Sequence, residues 1–185
     1  MIDKERTSKQ YDQIIAECRK VYLDKIQQYG TSWRVLRTIS IADQIYIKAY
    51  RIRTIQEKQQ QKIPESLEHE WIAMVNYGLI ALIQFKLKDD ERIDLPVEEA
   101  LSYYDAAVRE TKDLMHKKNH DYGEAWREMS QESLVDLILT KLLRIRQMVR
   151  NVQQADVAEQ IYSNFQDIIN YAVFALIQQS EQHEG

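Results

Sequence analysis

Tyr29-Gly30-Thr31-Ser32-Trp33-Arg34 in the first half of the chain returns about 93 residues later as Tyr122-Gly123-Glu124-Ala125-Trp126-Arg127. At the same offset Ser40, Asp43, Ile45, Lys48, Arg51, Ile52 and Arg53 return as Ser133, Asp136, Ile138, Lys141, Arg144, Ile145 and Arg146. After a shift of one residue, Asn76-Tyr77 and Ala81-Leu82-Ile83-Gln84 match Asn170-Tyr171 and Ala175-Leu176-Ile177-Gln178. Self-similarity at a fixed offset marks a repeated structural unit. Many of the matched residues are polar or aromatic, and core patterning alone would not impose them. The chain reads as a tandem duplication, with repeat 1 over residues 1–88 and repeat 2 over 97–185, packed together as one globular unit.

Composition bounds what such a chain can be. Its 185 residues are 44% hydrophobic and 29% charged, as expected of a globular protein with a real core. Four glycines and two prolines argue against a turn-rich β architecture. A net charge of −4 supplies no field for general nucleic-acid binding. Cys18 is alone, which excludes a disulfide framework and fits a reducing compartment. No apolar run reaches the ~18 residues of a membrane span, and Met1-Ile2-Asp3-Lys4-Glu5-Arg6 lacks the apolar stretch of a signal peptide. The expectation is a cytoplasmic protein with no membrane partner.

Apolar spacing of three and four predicts helices throughout. The first opens at a Thr7-x-x-Gln10 capping box and runs to about Gln28, where Gly30 breaks it. A loop from Tyr29 to Thr38 carries Trp33, and further helices cover about Ser40–Gln60 and Glu65–Leu87. Lys88 to Pro96 is the linker. Repeat 2 predicts helices at about 97–118, 133–153 and 156–182, with a loop over 119–132 and a second capping box at Asp156-x-x-Glu159. The third helix of each repeat is apolar nearly all round, and such a helix belongs inside a bundle. The fold class is all-α: a six-helix bundle of two tandem three-helix repeats with internal pseudo-twofold symmetry, like a fused homodimer. Association of two such chains as a homodimer is compatible with it.

Three places could carry chemistry. Lys117-Lys118-Asn119-His120-Asp121-Tyr122-Gly123 gathers cation, amide, imidazole, carboxylate and phenol before a turn. Either it holds a base or sugar, with Tyr122 or Trp126 as the stacking platform, or Tyr122 and Trp126 pin the loop and the rest is solvated. In the second helices, Lys48 and Lys141 fall in line with the apolar stripes Ile41-Ile45-Ile52-Ile55 and Leu134-Ile138-Ile145. A lysine there must snorkel, meet an anion or lose its charge; a carboxylate or a phosphate would serve. Arg51 and Arg144 stand at the stripe's edge, with forks suited to either anion. Asp43 and Asp136 point away from it and need other neighbours. In the third helices, Glu159, Ser163, Asp167, Asn170 and Tyr171 line one side; their counterparts are Glu65, His69, Ala73, Asn76 and Tyr77, with Glu68 and Glu70 nearby. An amide kept inside a greasy helix requires partners.

Lys118-x-x-Asp121-Tyr122-Gly123-x-x-Trp126, then Asp136, Lys141 and Arg144-Ile145, then Glu159 through Asp167-x-x-Asn170-Tyr171-Ala172, resembles domain of unknown function 1599, also called nucleotide modification associated domain 1. That domain is similar to the all-α nucleoside-triphosphate pyrophosphohydrolases of the MazG and dimeric dUTPase type. The resemblance implies an acidic set, Asp136, Glu159 and Asp167, holding Mg²⁺ or Mn²⁺ for water attack on a nucleotide. Lys118, Asp121, Tyr122, Trp126, Lys141, Arg144 and Asn170 would bind the substrate, joined from repeat 1 by Lys48, Arg51 and Asn76. The family pattern expects acids four residues apart on the third helix. This chain has Ser163 then Asp167, and His69 then Ala73, so neither repeat holds a full set. Two functions follow: a Mg²⁺-dependent pyrophosphohydrolase acting on a modified or non-standard nucleotide, or an inactive helical module that binds a nucleotide or protein partner.

Overall fold

In the computed structural model, which describes residues 3–63 and 66–185, the described residues form six α-helices and three short 3-10 turns. Repeat 1 contributes α1 (Lys4–Tyr29), α2 (Thr38–Lys58) and α3 (Leu67–Lys86). Repeat 2 contributes α4 (Val97–Tyr122), α5 (Gln131–Met148) and α6 (Ala155–Glu184). The expected start of the third helix at Glu65 lies outside the described residues. None of the described helices is long and apolar enough to cross a membrane.

Both expected capping boxes are displaced, the first by a residue that caps better. Asp3 caps α1, its carboxylate accepting from the Arg6 backbone N–H at 2.9 Å. A carboxylate there also meets the positive end of the helix dipole. Thr7 is therefore a buried residue of the helix, its hydroxyl engaged with Glu124 and Arg127. The Asp156 box does not form either, since α6 starts at Ala155 after Gln154. At the other end, α4 runs on through Asn119-His120-Asp121-Tyr122, so this polar cluster is a last helical turn rather than a loop. Gly123 ends it at φ +62°, its N–H bonded to the Asn119 carbonyl at 2.9 Å. Glycine reaches that left-handed conformation without steric cost.

The helices stack as three two-helix layers. α3 and α6 form the middle layer and share the most extensive contact; α2 and α5 cover one side, α1 and α4 the other. Burial from both sides is why α3 and α6 are apolar around their circumference. The two central helices approach closely at Gly78, where a Cβ would lie 2.5 Å from Ile169 Cγ1.

Polar residues present in both repeats join the two repeats to each other. The Tyr11 hydroxyl of α1 donates to Asn170 Oδ1 of α6 at 2.7 Å, and the Tyr104 hydroxyl of α4 donates to Asn76 Oδ1 of α3 at 2.8 Å. Each amide then donates within its own repeat, Asn76 to the Cys18 carbonyl at 3.0 Å and Asn170 to the Thr111 carbonyl at 3.2 Å. On the opposite side, Arg53 pairs with Asp136 at 3.3 Å and Arg146 with Asp43 at 3.1 Å, again across the repeats. These pairs give Asp43 and Asp136 the neighbours they required. Both sets of bonds exchange under the same pseudo-twofold operation.

Three outcomes test this packing. Tyr11→Phe or Tyr104→Phe leaves a buried amide oxygen short of its donor and should cost about 1–3 kcal/mol in urea unfolding. Gly78→Ala overfills the α3–α6 contact and should cost a similar ~1–3 kcal/mol. Burial, above all, raises the Tyr11 and Tyr104 phenols well above their ordinary value of 10.0. Unfolded tyrosine releases its proton near pH 10, so the folded state then holds more protons. The stability from this source is full below about pH 10 and lost as pH rises through the folded-state values. Denaturation midpoints measured along an alkaline series should fall above about pH 10, and fall less in the double Phe variant.

Candidate functional site

Each repeat builds the same pocket from the end of its first helix, the 3-10 turn that follows and one side of its third helix. The turns, Ser32–Val35 and Ala125–Glu128, carry Trp33 and Trp126. A glutamine clamps each one. Gln84 Nε2 donates to the Arg34 and Leu36 carbonyls at 3.0 Å, and Gln178 Nε2 donates to those of Trp126 at 2.8 Å and Met129 at 2.9 Å. Trp126 is 5% exposed, stacked on Phe174 at 4.2 Å, with the Arg127 guanidinium 4.4 Å from its centroid. Its ring is thus committed to holding the turn. Tyr122, 73% exposed, remains as the accessible ring at the pocket's edge.

The repeat 2 pocket encloses about 400 Å³. Within it Asp167, on α6, receives two lysines: Lys118 from α4 at 2.5 Å and Lys141 from α5 at 3.0 Å. The lysine in the apolar stripe therefore meets a carboxylate. Tyr171 lines the same space, half-buried; burial raises its phenol above the ordinary range, Asp167 adds to this, and the Arg144 charge works against it.

In repeat 1 the acid sits one turn earlier. Glu70 of α3, 5% exposed, lies 3.8 Å from Lys48 and 3.1 Å from Arg51. Asn164 stands at the corresponding place in repeat 2 and Ala73 at the place of Asp167, so the two repeats hold their carboxylate in different registers. Two consequences follow. Arg144, unlike Arg51, makes no ion pair among the described residues. Repeat 2 thus sets Lys118 and Lys141 on one carboxylate and leaves Arg144, which acts on the Tyr171 phenol at the pocket wall, without an acid of its own.

Several residues singled out in the sequence lie elsewhere. Asp136 is 60% exposed on its side chain and bonded to Arg53, on the α2–α5 surface. Glu159 is exposed near the start of α6, and Asp121 is exposed beside His120 at 3.2 Å. Asn76 and Asn170 line the pockets, but their amides are engaged at the repeat interface. Glu65 lies outside the described residues. Asp136, Glu159 and Asp167 are not brought together, and among the described residues no group of three His, Cys, Asp or Glu could hold a metal ion. Mg²⁺ and Mn²⁺ need several well-placed oxygens, and a lone carboxylate already bonded to two ammonium groups does not fit them. The sequence reading missed Glu70 as the partner of Lys48 and Arg51, and Asn164 as the substitution that leaves Arg144 without an acid. Aligning the third helices of the two repeats exposes both.

The Asp167 cluster has a testable energetic signature. Lys141→Met leaves Asp167 with Lys118 alone and should destabilise by about 1–2 kcal/mol, below the 3–5 kcal/mol of breaking a fully buried pair. The double variant Lys141→Met/Asp167→Leu should recover part of that loss, because no uncompensated carboxylate remains. Chemical denaturation of both variants measures the difference.

The family described as nucleotide modification associated domain 1 matches this chain twice, over residues 25–85 and 118–179. Each match runs from the end of a repeat's first helix, through the turn, into its third helix, and so takes in most of the residues that line a pocket. No curated protein and no solved structure matches the chain. The chain belongs to the nucleotide modification associated domain 1 family and carries that domain in two copies.

Proposed function

We propose that this protein is a nucleotide-binding module whose repeat 2 pocket takes the phosphates of a nucleotide. The observation that carries the reading is the convergence of Lys118 and Lys141 on the single carboxylate of Asp167, with Arg144 nearby and Asn164 standing where Arg51 has Glu70 as its acid. In the free protein Asp167 acts as an internal stand-in for an anion, keeping both ammonium groups inside the pocket. A phosphate would share the lysines with it and add the guanidinium fork of Arg144, which suits phosphate geometry. Tyr122 at the edge offers its ring to a base. The family description, association with nucleotide modification, agrees with such a ligand.

The pyrophosphohydrolase reading is the less favoured one. It would need carboxylates gathered around the phosphates, whereas Asp136 and Glu159 lie outside the pocket and Asp167 is held by lysines. The chain's own residues favour binding without hydrolysis.

Calorimetric titration separates the two. A nucleoside triphosphate should bind with chelator present and weaken as salt is raised, since the contacts are ionic. Arg144→Gln should weaken binding about tenfold, the equivalent of ~1.4 kcal/mol. Absence of binding by nucleoside triphosphates and by inorganic pyrophosphate contradicts the proposal. Binding that requires Mg²⁺ and is followed by pyrophosphate release establishes the hydrolytic reading instead.

A further inference from the structure

The repeat 1 pocket is the larger of the two, about 650 Å³, and its chemistry has diverged from that of its twin. At equivalent positions Ile26 replaces Asn119 and Ala73 replaces Asp167. Ile72, Ile80, Trp33 and Tyr77 supply much of the wall. Ala73 lacks the carboxylate that in repeat 2 neutralises the lysine at the end of the first helix. That lysine is present in both repeats: Lys25 lines the pocket and makes no ion pair or hydrogen bond among the described residues. Lys48, meanwhile, is drawn to Glu70. The result is an apolar cavity with one unneutralised cation at its wall.

A cleft of this volume falls in the range of small-molecule sites, which are mostly apolar with a few placed polar groups. The repeats themselves indicate what fills it. In repeat 2 the chain supplies a carboxylate between the first and third helices; in repeat 1 it supplies the lysine and leaves the carboxylate's place open.

We propose that the repeat 1 pocket is a second ligand site, distinct from the nucleotide pocket, for an apolar-bodied carboxylate whose head group pairs with Lys25 in the place of the missing Asp167 equivalent. The hydrocarbon or aromatic body lies along Ile72, Ile80 and Trp33, where burial of apolar surface provides the driving force. His69, also in the wall, adds a polar group. The site is independent of nucleotide binding in repeat 2.

Decanoate is a suitable probe, with decanol as its uncharged counterpart, both followed by calorimetry on the full chain. Decanoate should bind with a stoichiometry of one, about tenfold more tightly than decanol. Ala73→Asp rebuilds the arrangement of repeat 2 by giving Lys25 an internal partner, and should weaken decanoate binding about tenfold or more. Should that variant fail to fold, Lys25→Gln, at an exposed side chain, should reduce the decanoate affinity to that of decanol. The inference is overturned if decanoate does not bind at millimolar concentration, if decanol binds as well as decanoate, or if Lys25→Gln or a folded Ala73→Asp protein binds decanoate like the parent.

Discussion

Two buried hydrogen bonds hold this architecture in its arrangement: the tyrosine of each repeat's first helix reaches across to the asparagine of the other repeat's third helix. A primary amide inside an apolar helix is costly unless its oxygen and nitrogen are both served. Here the oxygen is served by the partner repeat and the nitrogen by its own. Pulling the repeats apart would strand two amides and two phenols at once. Neither repeat therefore has a satisfactory interior by itself, and the chain folds around one shared middle layer, α3 against α6. The Arg53–Asp136 and Arg146–Asp43 pairs obey the same symmetry on the opposite side, but they are exposed and add little to stability.

This division of labour organises the rest of the molecule. Polar residues common to both repeats serve the interface or the turns: Asn76 and Asn170, Asp43 and Asp136, Arg53 and Arg146, Gln84 and Gln178. The pockets share a lysine and tyrosines and differ where Asn119 and Asp167 in repeat 2 correspond to Ile26 and Ala73 in repeat 1. The acid stands at Glu70 in repeat 1 and at Asp167 in repeat 2, which changes the cations it satisfies: one pocket holds a lysine pair on a carboxylate, the other a lone lysine in an apolar wall. Duplication makes such divergence inexpensive in stability, because the shared interface stays intact while each pocket varies.

Much of this was legible in the chain. The repeat was visible because polar identities recurred at a constant offset, and the bundle followed from third helices that were apolar on every side. The anionic partners of Lys48 and Lys141 were foreseeable, since an ammonium within an apolar stripe needs one. What was illegible concerned which helix faces which. A helical wheel places Asp136 away from its own stripe but cannot say that Arg53 of the other repeat waits there. The metal role of Asp136 and the substrate role of Asn170 rest on the family resemblance, which carries no information on their partners; Tyr11 is 159 residues from Asn170. Asp3 outcompetes Thr7 as a cap because a carboxylate also gains from the helix dipole, and of the two readings of Trp126 the structure shows the one in which it pins the turn, on Phe174.

The most direct measurement is a backbone NMR titration of the protein with a nucleoside triphosphate in the presence of chelator. If interface and pocket chemistry are separated as described, shifts should cluster at Lys118, Tyr122, Lys141 and Arg144, leaving Tyr104 and Asn76 unmoved. Equal shifts at the equivalent Lys25, Tyr29, Lys48 and Arg51, or the largest changes at the Tyr–Asn pairs, would contradict it.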